Sequence, residues 1–146
     1  MTFIDSNFDK KTGISTVTIE HLGKLFNGTA RLHPDDKDKA SNYSGCKYAE
    51  IRATIKALKY EHKIAKEEAE ACRKMVMTCE SCKNWDKKST PAKILYHQLN
   101  VRIKKVNKLA DMINAQIKNL QKMIWERDIV LKSIERVKSK KDNLSK

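Results

Sequence analysis

Between Ser89 and about Ser139, apolar residues recur at alternating steps of four and three: Leu99, Ile103, Val106, Ala110, Ile113, Ile117, Leu120 and Ile124. After a lapse at Arg127 the row resumes with Leu131 and Ile134. Such a heptad stripe marks a helix lying along another helix. The stretch opens Ser89-Thr90-Pro91, a hydroxyl N-cap followed by proline, whose missing N–H costs nothing in a first turn. A helix over 90–139 is expected. At about 1.5 Å per residue it would run roughly 70 Å, more than the width of a compact chain of this size. It must project or be covered by other chains, so it reads as an assembly element.

A second stripe precedes it: Tyr48, Ile51, Ile55, Leu58, His62, Ala65, Ala69, Cys72, Val76 and Cys79, with Glu50, Lys56, Lys63, Glu67, Glu70 and Lys74 on the outer face. This predicts a helix over 45–79. Residues 80–89 interrupt both stripes and form the connection of a helical hairpin. The second helix is the longer, so its turns beyond about Trp125 should overhang the first. Off-stripe apolar residues (Ile64, Met75, Met77, Val101, Met112, Met123, Trp125, Val130, Val137) widen the apolar surface beyond a two-helix seam. A homo-oligomer accounts for that width; cover by the small sheet is the plainer account.

Upstream the period changes. Ile14 to Glu20 is rich in β-branched residues and reads as a strand, with a turn at Leu22-Gly23-Lys24 and a second strand over Lys24 to Leu32. Asn27-Gly28 could itself be a hairpin turn, which would make three short strands, so a small β-sheet over 14–33 is expected. Residues 1–13 are polar, end in glycine and read as an arm or first turn. His33-Pro34 stops the second strand, and 34–45 is a polar loop. The tail, 140–146, is too polar to pack and should fray. The whole chain, 1–146, is then a single α+β domain: a small N-terminal antiparallel β-sheet followed by a long antiparallel helical hairpin, oligomeric.

Charge narrows the partners. The chain carries a formal +13 over 146 residues. Residues 1–45 balance six Lys/Arg against six acids, while 101–146 carry thirteen Lys/Arg against five acids, a local +8. Anionic partners are favoured, although a solvated helix face is the bland explanation. The start, Met1-Thr-Phe-Ile-Asp, lacks the regions of a signal peptide, and no run of 18 apolar residues occurs. The expectation is a cytoplasmic protein with no membrane partner and four reduced cysteines.

Chemistry is sparse. Cys79-Glu-Ser-Cys82 is a lone CxxC without the second pair that a tetrahedral metal site needs. His62 sits on the apolar stripe and reads as a satisfied core or interface histidine. Asp35, Asp36 and Asp38 lack the spacing of a calcium loop. No nucleophile–base set, HExxH or P-loop is present, so the chain is not expected to be an enzyme, and no metal or cofactor is called for. Basic groups are more promising. Arg31 at a strand end, with Lys47 and Arg52 in the first turns of the first helix, could converge on a phosphate. In the second helix Tyr96, His97, Gln98, Asn100 and Arg102 supply an aromatic ring and donors suited to a nucleotide; they could equally be a hairpin's ordinary polar edge.

One segment is familiar. Gly28-Thr-Ala-Arg-Leu-His-Pro-Asp-Asp36, then Ser44-Gly45, Ala49-Glu-Ile-Arg-Ala53 and Leu58, resembles a pattern of small phage proteins. With two long C-terminal helices appended, the layout resembles the Thoeris anti-defence sponges of phages and prophages. That resemblance implies a multimer that binds a cyclic ADP-ribose-type signal made by a bacterial TIR enzyme. The signal is held uncleaved, and other cyclic oligonucleotides are held by some members. It covers 14–62 by motif and the remainder by layout, and assigns no ligand residues here. His33 stands where related segments carry an apolar residue or cysteine. Two alternatives stay open: a basic nucleic-acid-binding or CRISPR-inhibiting phage protein, and a coiled-coil scaffold with no small ligand.

Overall fold

The structure, a computed structural model, describes residues 1–31 and 42–144. Three strands, β1 (Thr2–Asp9), β2 (Ile14–His21) and β3 (Lys24–Arg31), precede two helices, α1 (Asn42–Glu80) and α2 (Thr90–Leu144). The strands form an antiparallel sheet in sequence order. The fold is the α+β architecture expected from the sequence, a three-stranded sheet followed by two long helices packed against each other.

The sheet departs from expectation at both ends. Residues 1–13 do not form an arm: 2–9 are strand β1, paired to β2 from Thr2↔Glu20 to Asp9↔Ile14 with an irregularity at Phe3/Asp5. A polar strand is tolerated there because β1 is an edge, almost wholly exposed. The Lys11 N–H donates to Asp9 Oδ1 at 2.9 Å and the Gly13 N–H to the Asp9 carbonyl at 2.8 Å, closing the first hairpin. Asn27-Gly28 is not a turn but the middle of β3, where Val17 pairs with Gly28. The second turn is Leu22-Gly23, with φ of 54° and 75°. Two left-handed residues in a two-residue loop are the signature of a type I′ hairpin, which follows the strand twist.

Alternation in the strands divides the sheet's faces. Ser15, Val17, Ile19, Gly28 and Ala30 are buried toward α1, while Thr16, Thr18, Asn27 and Thr29 lie on the outer face. On α1, Ala49, Ala53 and Ala57, one turn apart, are fully buried in the same cluster. The helix sits so low on the sheet that a Cβ on Gly28 would overlap the Ala49 carbonyl oxygen and the Ala53 nitrogen. At Gly45 a Cβ would lie 2.6 Å from Ser15 Oγ. Small residues on both surfaces permit this approach; a single larger side chain would lift the helix.

On its opposite side α1 presents the expected stripe, every member buried or half-buried. Leu58 and Ala65 pack with Leu109 and Ile113, flanked by Val106 and Ile117; burying Leu58 contributes roughly 1.5–3 kcal/mol. The seam on α2 is rotated from the expected stripe. It runs Ala92, Leu95, Leu99, Arg102, Val106, Leu109, Ile113, Gln116, Leu120 and Met123. Ile103 and Ile124, expected in the seam, stay 43% and 40% exposed. The apolar rows of α2 are three wide, and two of them suffice to cover α1. His62 is half-buried on α1's seam face.

Both helices are longer than expected. α1 begins at Asn42 rather than 45, and α2 continues to Leu144 instead of fraying from 140. Ser89 caps α2 as the sequence indicated: the Ala92 N–H donates to its Oγ at 3.3 Å. Since the Tyr48 hydroxyl donates to the Met123 carbonyl at 3.2 Å, the first turns of α1 lie beside Met123, from which α2 still has some twenty residues to run. The overhang carries Trp125, Ile129 and Val137 exposed. Among the described residues no strand lies against α2, so the sheet does not cover its spare apolar surface. The Pro34 loop and its aspartates fall largely outside the described residues. No helix is long and apolar enough to cross a membrane among the residues described.

Candidate functional site

The eight candidate positions fall into two groups at opposite ends of the hairpin. Arg31, Lys47 and Arg52 lie where β3 ends and α1 begins. Tyr96, His97, Gln98, Asn100 and Arg102 lie beside α1's far end, since the Tyr96 hydroxyl donates to Glu80 Oε1 at 2.8 Å. From Arg52 to Glu80 the helix rises about 42 Å. One chain cannot close both groups around one small ligand. Antiparallel pairing sets the first turns of α2 at the end of the hairpin away from the sheet.

At the sheet end the three cations do not converge. Arg52 Nη1 donates to the Thr29 carbonyl at 2.6 Å, and Lys56 Nζ donates to the Asn27 carbonyl at 2.7 Å. β3 is an edge strand, and every second residue of an antiparallel edge turns its carbonyl outward. Two cations four residues apart on α1 meet two carbonyls two residues apart on β3, so the edge is capped by side chains. Arg31 follows Thr29 in the alternation and sits exposed at the outer face. Lys47, five residues before Arg52, lies about 140° around the helix from it. Arg52 therefore serves the fold, a role the sequence hid because β3's edge was not identifiable.

The opposite end of the hairpin is closed by polar contacts. Trp85 Nε1 donates to the Tyr96 hydroxyl at 3.2 Å, with the rings edge-to-face at 6.4 Å. Tyr96 thus links the connection to the last turn of α1, and its hydroxyl is fully engaged. Arg102 Nη1 donates to the Gln98 carbonyl at 3.4 Å and lies 4.0 Å from Cys72 Sγ, half-buried in the seam. His97, Gln98 and Asn100 have exposed side chains.

The turn end of the sheet holds a cluster that the sequence did not single out. His21 Nε2 lies 2.7 Å from Glu61 Oε2, and Lys24 Nζ sits 4.6 Å from the centre of the Tyr60 ring. Phe26 packs on Tyr60 at 5.4 Å. The β2–β3 hairpin is thereby pinned to α1; the only sequence signal was a histidine and a lysine flanking the turn. Glu70 is held below the ordinary carboxylate range by hydrogen bonds from Arg73, at 2.9 and 2.7 Å, on the exposed surface of α1. Among the described residues no group of three or more His, Cys, Asp and Glu could hold a metal ion. Cys79 is half-buried and Cys82 exposed, both free thiols.

Chemically, then, one chain offers exposed cations and amides, and the aromatic ring nearest them is committed to the hairpin. No protein-family profile, curated protein or solved structure matches the chain.

Proposed function

We propose that the protein is a phage or prophage counter-defence protein that binds a TIR-derived cyclic ADP-ribose-type nucleotide and sequesters it uncleaved, as a homo-oligomer. The observation that carries this reading is what the phage-type motif does in the fold. Gly28, Ala30, Gly45, Ala49 and Ala53 are among the residues through which sheet and helix touch. The motif's small residues thus have a structural use in this chain, and that use supports the reading. Two features support an anionic ligand. α1 has no acid in its first turn, and Arg31 is exposed at the end of β3. Because one chain holds its candidate donors on open surface, enclosure falls to a second chain, as tight retention of a small ligand requires.

The test is retention and release. The protein is incubated with the signal, separated from free nucleotide, and heat-denatured. Intact signal in the released fraction is expected; a cleaved product would make the protein an enzyme, and no retained signal would refute the reading.

A second reading has its own observation. Lys104, Lys105, Lys108, Lys118 and Lys122 are all exposed on α2 away from the seam, a basic ridge suited to a polyanion. Nucleic-acid binding through it would weaken steeply with salt. A gel shift at near-physiological salt decides between the two.

A further inference from the structure

The charge on α2 is distributed by row. Beside the seam with α1 runs the apolar row Ile103, Ala110, Ile117 and Ile124, at steps of seven, which α1 leaves half-exposed or exposed. Next to it runs a row of amides, Asn100, Asn107, Asn114 and Gln121, all exposed. Neither row contains a charged residue over these residues, roughly 36 Å of helix. The exposed lysines named above, with Asp111 and Glu126, fall on the other faces.

From this pattern we infer that the uncharged strip of α2 is the surface on which two copies of the chain associate, helix against helix and antiparallel. The occupant follows from charge. A copy of this chain carries a formal +13 and can approach another only where neither presents cations. A nucleic acid or acidic peptide would instead need lysines in the strip. The strip is also self-complementary. Antiparallel alignment centred near Asn114 sets Ile103 against Ile124 of the second copy. The small Ala110 then faces the larger Ile117, and Asn107 faces Gln121. Asn114 meets its own equivalent on the two-fold axis, where an amide both donates and accepts. The contact continues the α1–α2 seam sideways and yields a four-helix arrangement of the usual kind. It does not depend on the nucleotide reading, although it supplies the second chain that reading needs.

Sedimentation equilibrium on the full chain tests it. The expected mass is an even multiple of one chain, falling in either Asn114→Lys or Ile103→Lys, with far-UV circular dichroism unchanged. Asn114 is exposed and away from the seam, so its replacement leaves the fold intact even where Ile103→Lys perturbs it. A wild-type mass of one chain or of an odd multiple overturns the inference, as does an unchanged mass in both variants. Nucleotide retention plays no part in the readout, so failure here and failure of the sponge reading remain distinguishable.

Discussion

Gly28 and Ala49 meet backbone to backbone: the α-carbon of one leaves no room for a side chain before the carbonyl oxygen of the other. The helix cannot yield there without losing the cluster of Val17, Ile19, Ala30 and Ala53 around it. Gly28→Ala is therefore expected to cost on the order of 3 kcal/mol, at the upper end of overpacking effects, or to prevent folding. Gly23→Ala is the contrast. Its Cβ meets nothing within 4 Å, and only its φ of 75° is at stake, so about 1 kcal/mol is expected. Urea unfolding of the two variants side by side checks the ordering.

Leu22 stands at φ 54°, a left-handed conformation that a bulky side chain disfavours. Leu22→Asn keeps the turn and supplies a residue suited to it. A gain of about 1 kcal/mol is expected, read as a higher urea midpoint with an unchanged slope.

Arg52 and Lys56 cover the carbonyls of the β3 edge. Removing both is expected to lower stability by about 1 kcal/mol per bond. It should also expose an edge that templates strand addition. Light scattering on Arg52→Ala/Lys56→Ala should rise with concentration. Were Arg52 instead a ligand group, Arg52→Ala would abolish nucleotide retention with stability unchanged.

Tyr96 ties Trp85 to Glu80 through one hydroxyl. Tyr96→Phe keeps the edge-to-face ring contact and removes both hydrogen bonds, so roughly 1 kcal/mol is expected to be lost. Trp85 fluorescence reports the change directly, because its indole N–H loses its partner. Helix content should stay the same.

The helical part of the fold was legible because period 3.5 persists over long stretches and Ser89-Thr90-Pro91 marks a start unambiguously. What escaped were features set by the third dimension. β1 is polar and becomes a strand because β2 offers it an edge. Gly28 resembles a turn residue, yet its use is to let Ala49 and Ala53 approach. Ile103 and Ala110 belong to the same apolar surface as Leu99 and Val106, and one sequence cannot say which two rows of three will face α1. The candidate site divides similarly. Tyr96 and Arg52 have the right chemistry for a ligand, but Glu80 and Thr29 already engage them, and no spacing rule reveals partners so distant in sequence; Arg102 is engaged within its own helix by the Gln98 carbonyl, four residues back.

Among the described residues α1 alone joins the sheet to α2, and this has a consequence for how the molecule opens. Its first half is clamped from two sides, by strands and by α2, whereas its last turns, from about Ala65 to Glu80, are held by α2 alone. Protection of backbone amides against exchange should therefore be graded along this single helix, strongest around Ala53 and weakest near Cys79. Fluctuations that part the two helices would start at the Trp85 connection and die out before they reach the strands. The N-terminal half of the molecule would keep its shape while the other end breathes.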